Sequence, residues 1–342
     1  MTGFLALEDG TVFRGESVGA EGFALGEAVF ATAMTGYQEL VTDPSYEEQL
    51  LCFTAPMVGN YGVAAGRDES RRPHAKAVLM REARGPAWTD WLHEHGVLAL
   101  SGLDTRSLVL HLRDRGSLRG IVVSGEGSVE EALEAVGGQP AMEGRALAAI
   151  VSTDEPYVHS AAGRVRVAVV DYGCKRSILR RLAAAGAAVT VFPHDTPADE
   201  LAAHDGVVLS NGPGDPEPLR EEVATVRDLL GRVPVLGICL GHQLLALASG
   251  LRTYKLAFGH RGANHPVLDR RTGRVLVTSQ NHGFAVSPSE EREATAVSLY
   301  DGTVEALDFP ELRARSAQFH PEAGPGPHDA WPLIDEWVDS LA

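Results

Sequence analysis

The sequence predicts an α/β protein: a C-terminal open, mostly parallel sheet with helices on both faces, preceded by a smaller α/β N-terminal domain. Three observations carry this. From residue 165 onward, short β-branched runs alternate with amphipathic segments, the pattern of strand–helix–strand units. The first 145 residues are built differently, from short strands and separate helices around Gly-containing turns. At 342 residues the chain is long enough for two domains, each with its own core.

In the C-terminal half, Val165–Val170 reads as a buried strand. Ser177–Ala185 follows as a helix, with Ile178, Leu179 and Leu182 on one face and Gly186 as its stop. Ala187–Phe192 and Gly206–Ser210 are further strands, with a short helix at Ala198–Ala203 between them. Glu221–Leu230 is a helix ended by Gly231, and Val233–Ile238 is a strand feeding a helix at Leu244–Ala248. After residue 274 the pattern turns to hairpins: Arg274–Ser279, Ala294–Tyr300, an Asp301-Gly302 turn and Val304–Leu307. Trp331–Leu341 reads as an amphipathic helix.

In the N-terminal half, Phe4–Glu8 and Thr11–Arg14 form a hairpin around Asp9-Gly10. Strands are expected at Glu27–Ala31, Leu50–Phe53 and Ala75–Met80, and helices at Ala87–Glu94, Thr105–Arg113 and Ser128–Val136. The last opens with the capping box Ser128-Val129-Glu130-Glu131. Beyond residue 137, Gly-Gly, two prolines and little periodicity suggest a connector. The division expected is thus a domain at 1–145, a linker at 146–164 and a domain at 165–342.

Composition narrows the function classes. Hydrophobic residues make up 44% of the chain, and no apolar run approaches the ~20 residues of a membrane-spanning helix. The start of the chain meets Glu8 and Asp9 too early for a signal peptide, so a cytoplasmic protein with no membrane association is expected. Lys plus Arg number 30 against 46 for Asp plus Glu, a formal charge of −16. Such a surface repels phosphate backbones, which argues against nucleic-acid binding. Cys52, Cys174 and Cys239 are odd in number and widely spaced, and suggest neither a metal site nor a disulfide framework.

Three segments fall where strands end, and binding sites of open α/β sheets form beyond the carboxyl ends of the strands. "GICLGHQ" (237–243) places Cys239 between Gly237 and Gly241 at a strand-to-helix junction. The two glycines permit a sharp turn with close backbone approach, the logic of a nucleophile elbow with Cys in place of Ser. A helix N-terminus there favours the thiolate and offers N–H groups to an oxyanion. An inert core cysteine is the commoner state of a thiol, and the flanking glycines reverse that preference. "AQFHPEAGPGP" (317–327) offers His320 as a base and Glu322 as its orienting acid, though alone it reads equally as a surface loop. "LSNGPGDP" (209–216) has a backbone suited to lining a pocket, and a plain turn explains it as well. His242 and His282 also neighbour these segments.

Together, in this order and spacing, the three segments resemble the class I (triad) glutamine amidotransferases over residues 165–342. "LEDGTVFRGESVG" (7–19), "TGYQELVTDPSY" (35–46) and "GNYGV" (59–63) are similar to segments of the family of carbamoyl-phosphate synthase small subunits. So are "LDTRSL" (103–108), "YKLAFGHRGANHPV" (254–267) and "SQNHGFAV" (279–286), so that this likeness spans nearly the whole chain. It implies that Cys239 is the nucleophile, His320 the base and Glu322 the orienting acid. Glutamine-binding positions fall on Ser45, Gly212, Gly214, Leu240, Gln243, Asn281, Gly283 and Phe284. Lys175 matches a family lysine near an ammonia exit, and a solvated cation at a helix start is an equal reading. Gly102-Leu103 stands where a more polar pair is usual, Gly324 where a serine is, and Phe319 where a tyrosine is frequent. None touches a proposed catalytic group.

The resemblance further implies a heterodimer, open to higher assembly, with a large subunit that uses ATP and Mg to make carbamoyl phosphate for arginine or pyrimidine synthesis. No cofactor is expected in this subunit. The alternatives are a regulatory subunit that kept the fold without the chemistry, an amidotransferase serving another acceptor, and a free-standing cysteine hydrolase. An intact Cys239, His320 and Glu322 argue against the first. The N-terminal segments argue against the second, and the glutamine-binding segments against the third.

Overall fold

The structure, a computed structural model, describes residues 2–287 and 294–342. It divides into two compact units, Met1–Met142 with Ala257–Arg261, and Glu143–Leu256 with Gly262–Ala342.

The first unit is a closed barrel of strands β1 (Thr2–Leu7), β2 (Val12–Ser17), β3 (Gly22–Ala31), β4 (Gln49–Phe53), β5 (Ala77–Leu79), β6 (Leu98–Ser101) and β7 (Leu118–Ser124). Their order around the barrel is β1-β2-β6-β5-β4-β3-β7, closed by the antiparallel pairing of β7 with β1. β3, β4, β5 and β6 run parallel, and the remaining pairs are antiparallel. Period-two alternation turns Leu5, Leu7, Leu50, Cys52, Leu79 and Val122 into one core. The Asp9-Gly10 turn joins β1 to β2 as expected, with the Gly10 N–H on Leu7 O at 2.9 Å.

Four helices decorate the barrel: α1 (Tyr37–Thr42), α2 (Pro86–Glu94), α3 (Thr105–Arg115) and α4 (Val129–Gly137). Asp104 caps α3 by accepting from Ser107 N at 3.1 Å, and Ser128 caps α4 by accepting from Glu131 N at 3.5 Å. α4 lays Ala132 and Val136 on Phe4, Ala6, Ile121 and Val123. Residues 257–261 join this unit through Ala257 O, which accepts from Ser117 N at 2.7 Å, and Arg261 O, which accepts from Thr32 N at 2.9 Å.

The second unit is a ten-stranded sheet. Its elements in chain order are α5 (Ala148–Val151), β8 (Tyr157–Ser160), β9 (Val165–Asp171), α6 (Arg176–Ala184), β10 (Ala187–Pro193), α7 (Ala198–Leu201), β11 (Gly206–Leu209) and α8 (Arg220–Leu229). There follow β12 (Val235–Ile238), α9 (Leu240–Ala248), β13 (Thr253–Asp269), β14 (Val275–Val286), β15 (Ala294–Ser298), β16 (Val304–Phe309), β17 (Ala314–Ala317) and α10 (Trp331–Asp339). The order is β14-β13-β15-β16-β17-β12-β11-β9-β10-β8. The five strands β17, β12, β11, β9 and β10 are parallel, and β8, β16 and β15 extend the sheet antiparallel on either side.

Alternation along β9 shows why both faces are covered. Val165, Val167 and Val169 face α6 and α10, packing with Ile178, Leu182, Ile334 and Trp337. Ala168 and Val170 face the opposite side, with Val226 and Leu229 of α8 and Leu244 and Leu245 of α9. A strand buried on both faces reads as a continuous apolar run, which is what residues 167–170 display.

The segment expected as a linker at 146–164 is not one. It carries α5 and β8, and β8 pairs antiparallel with β10 at the sheet edge. Ser152 Oγ accepts from His194 N at 3.0 Å, and Thr153 N donates to Asp171 at 2.9 Å. These bonds tie a sequence of weak periodicity into the second unit. The strand expected at Arg274–Ser279 is longer than its pattern suggests: β14 runs on through Asn281, Gly283 and Phe284. Its polar residues Thr278, Gln280, Asn281 and His282 are buried, so no apolar alternation marks it. No helix among the described residues is long and apolar enough to cross a membrane.

Candidate active site

β17, β12, β11 and β9 are adjacent and parallel, so their carboxyl ends open on one edge of the sheet. Each delivers one part of the site. β12 ends at Ile238 and hands the chain to Cys239, the residue that caps α9. Cys239 has φ 55° and ψ −103°, a conformation strained for any side chain but glycine. Gly237 and Gly241 make that turn sterically feasible. A Cβ on Gly237 would lie 2.5 Å from Gly241 O, and one on Gly241 would lie 2.2 Å from Leu209 O. α9 therefore begins immediately after the cysteine, four residues earlier than its apolar run suggests.

The turn is held by Cys239 N donating to Ala317 O at 2.8 Å and Gly241 N to Ser210 O at 3.0 Å. His242 N and Gln243 N both donate to Cys239 O, at 3.1 and 3.2 Å. The Leu240 N–H lies in the first turn of α9, where helix geometry supplies no intrahelical acceptor. Gly212, which follows β11, packs so closely that a Cβ there would lie 2.8 Å from the Leu240 side chain and 2.1 Å from Tyr172 O. Gly214, next in this loop, sits against Arg145 O.

β17 leads to His320, whose N–H donates to Ser279 O at 2.9 Å. Its Nδ1 lies 2.7 Å from Glu322 Oε1. Nε2 is buried with no hydrogen-bond partner, and the Cys239 thiol is among the groups that raise the ring's affinity for a proton. The Cys239 Sγ lies 3.5 Å from Asn281 O. Cys239, His320 and Glu322 are all buried, at 2%, 2% and 4% exposure, so the His-Pro-Glu segment is no surface loop.

β9 leads to Lys175, whose two open readings are a lysine near an ammonia exit and a solvated cation at a helix start. Lys175, just before α6, is buried rather than solvated. Its Nζ donates to Glu322 Oε1 at 2.9 Å and to Ala323 O at 2.7 Å. Its own N–H is received by Asn211 Oδ1 at 3.1 Å, linking the loop after β9 to the loop after β11. Asp171 shapes the approach, taking the N–H groups of Gly173 and Cys174 at 2.9 and 2.7 Å. A sequence shows that Lys175 and Glu322 exist, but not that they face each other across two strands.

The electrostatics follow from this arrangement. Burial disfavours the His320 imidazolium, but the Glu322 carboxylate outweighs it and holds the ring's pKa well above the usual histidine range, against the opposing Lys175. Burial also disfavours the Glu322 carboxylate, and Lys175 and then His320 hold its pKa well below normal. His242, on the first turn of α9, is a different case: burial pushes it down to about 3, and its Nδ1 meets Ser316 Oγ at 2.8 Å. It is a neutral packing element.

The other positions implied by the resemblance are placed as follows. Gln243 Nε2 donates to Phe284 O at 2.8 Å and to Gln318 Oε1 at 3.1 Å, which fixes its amide beside β14. Gln318 carried no flag in the sequence. Asn281, Gly283 and Phe284 lie on β14, and Lys255 Nζ sits 5.2 Å from the Phe284 ring centroid. Ser45 belongs to the first unit, buried in a 3₁₀ turn at Pro44–Tyr46, with its N–H on Asp43 Oδ1 at 2.9 Å.

An elbow cysteine and a buried His–Glu pair at the carboxyl ends of parallel strands make this edge of the sheet the candidate active site. Residues 168–340 match the model of the class-I glutamine amidotransferase family, which sets the class of this unit. Residues 5–122 match the model of the carbamoyl-phosphate synthase small chain, CPSase domain. Full-length relatives agree. The carbamoyl phosphate synthase small chain of Xanthomonas campestris pv. campestris is 47% identical over 99% of this chain and 97% of its own length. Those of Syntrophotalea carbinolica and Pseudomonas aeruginosa are each 45% identical, covering 100% and 99% of this chain and 98% of theirs. The chain belongs to the carbamoyl phosphate synthase small-chain family.

Proposed function

We propose that this chain hydrolyses L-glutamine through a γ-glutamyl thioester on Cys239 and passes the ammonia to a carbamoyl phosphate synthase large chain. The single observation that carries the chemistry is the juxtaposition of a strained elbow cysteine with a buried imidazole whose proton affinity is raised by Glu322. His320 takes the thiol proton, and the thiolate adds to the side-chain amide carbon. The resulting oxyanion is received by the Leu240 and Gly212 N–H groups. The imidazolium gives its proton to the departing nitrogen as the C–N bond breaks, releasing ammonia. Water, deprotonated by His320, then adds to the thioester carbon, and the C–S bond breaks to give glutamate and the free thiol.

Glutamine carries an α-carboxylate and an α-amine, which call for N–H donors, carbonyl acceptors and short polar side chains. Gly212, Gly214, Leu240, Gln243, Asn281, Gly283, Phe284 and Ser45 offer these groups, and their assignment to glutamine rests on the family resemblance. No step here needs a cofactor. ATP and Mg belong to the large chain's use of bicarbonate, in the cytoplasm, for arginine or pyrimidine synthesis. Lys175 keeps the role of a family lysine near the ammonia exit as part of this reading, alongside its ion pair with Glu322.

The test is Cys239→Ser in the complex with the large chain. Glutamine-dependent carbamoyl phosphate synthesis is expected to fall by on the order of 10⁴-fold or more, with synthesis from added ammonia retained. Loss of both activities together would make Cys239 a structural residue, and retention of both would refute the elbow chemistry.

A further inference from the structure

Glu322 is held at two points. Lys175 grips its carboxylate from the start of α6. The second grip is on its backbone: the Trp331 Nε1–H donates to Glu322 O at 3.2 Å from the first residue of α10. The indole is itself fixed. The His328 ring stacks on it at 3.7 Å with planes 19° apart, and the Arg181 guanidinium carbon lies 4.4 Å from its centroid. Arg181 sits on α6 and also pairs with Asp335, one turn along α10 from Trp331. α6 and α10 share one packed core through Ile178, Leu182, Ile334 and Trp337. The segment between Glu322 and Trp331 contains Ala323 at φ 63° and then the two glycines and two prolines of Gly324-Pro325-Gly326-Pro327, a stretch with no helix or strand to fix it. A partly buried, oriented indole N–H is a restraint that such a stretch does not provide for itself.

We propose that Trp331 is a positioning residue for the triad acid, holding the Glu322 backbone so that its carboxylate stays in register with His320 Nδ1. This rests on the glutaminase reading above and adds to it a residue on α10 that touches neither substrate nor thiol. The charged and titratable groups around the pair are Lys175 and His320 at Glu322, and Arg181, His328 and Asp335 at Trp331. Loss of the N–H lets Glu322 shift, and a carboxylate less well aligned raises the His320 proton affinity less.

Trp331→Phe, which keeps an aromatic ring beside His328 and Arg181 and removes the donor, is measured in the complex with the large chain. Glutaminase kcat is expected to fall about 3- to 10-fold, the loss of one hydrogen bond, with the KM for glutamine changed less than about twofold. The alkaline limb of the pH profile, where His320 loses its proton, moves to lower pH. A purely structural role would lower the melting temperature without moving that limb. Unchanged kcat with an unmoved limb overturns the proposal. Should Trp331→Phe not fold, Arg181→Met leaves the N–H in place but loosens the indole: a limb moved to lower pH supports the proposal and an unmoved one overturns it. A wild-type complex that lacks glutaminase activity would refute the functional reading and this role together, a result separate from a Trp331 variant that matches an active wild type.

Discussion

Replacing Lys175 with Met removes an ammonium that is almost entirely out of water, 3% exposed, facing a Glu322 carboxylate that is 0% exposed. Methionine fills a similar volume, so the change isolates the charge and its two hydrogen bonds, to Glu322 Oε1 and Ala323 O. Breaking a buried pair by deleting one member costs about 3–5 kcal/mol, because the remaining charge stays buried. His320 still faces the carboxylate at 2.7 Å, which places the expectation at the lower end, on the order of 3 kcal/mol. For a unit of this size that is a fall of about 6–12 °C in melting temperature. The proton balance moves too. Lys175 lowers the pKa of both Glu322 and His320. Without it both rise: the acidic limb of the glutaminase pH profile, where Glu322 is neutralised, and the alkaline limb, where the imidazolium deprotonates, shift to higher pH. Thermal melts and kcat/KM across pH, run on the same preparation, read both effects. An unchanged melting temperature with an unmoved profile would mean that Lys175 does not bear on Glu322, and the buried grip described above would be wrong.

Gly241→Ala is expected to lower glutaminase kcat by about 100-fold, since its Cβ would lie 2.2 Å from Leu209 O and must push the elbow off β11; steady-state kinetics at wild-type rate would refute the steric account. In the first unit, Glu47 is buried, with His74 Nδ1 at 2.8 Å, an Arg72 nitrogen at 3.1 Å and Lys76 also paired to it. Burial pulls its pKa up, but His74 and Lys76 outweigh this and hold it at about 2, below its ordinary 4.5. A depressed carboxylate stabilises the fold above pH 4.5, and the contribution, on the order of 2–3 kcal/mol, is lost as pH falls towards 2. Urea melts of wild type and Glu47→Gln should diverge at neutral pH and converge in that window, whereas curves separated by the same amount throughout would remove Glu47 from the balance.

What the sequence discloses and what it conceals have physical causes. Stretches of strand buried on both faces, such as Val167–Val170 and Val235–Ile238, are legible because burial leaves only apolar residues there. The Cys239 turn is legible because close backbone approach admits only glycine at 237 and 241. The part of β14 beyond Ser279 is concealed, because its buried residues are largely polar and find hydrogen bonds inside the fold, as Gln280 Nε2 does on Glu305 at 2.8 Å. β8 is concealed for the opposite reason: Tyr157, Val158 and His159 are exposed at a sheet edge, so no buried face imprints alternation on them. The barrel closure of β7 on β1 joins residues more than 100 positions apart, a pairing that neither segment announces alone. Lys175, Asn211 and Trp331 reach Glu322 or its neighbours from three separate strand and helix ends, and only the fold brings them together.

The central claim is a covalent one, that Cys239 carries the γ-glutamyl group during turnover. Acid-quenching the complex during steady-state hydrolysis of radiolabelled glutamine, followed by peptide mapping, measures it directly. The account predicts label on the peptide containing Cys239, removed by hydroxylamine and missing from Cys239→Ser. Label on another residue, or turnover at full rate with Cys239→Ser, would contradict it.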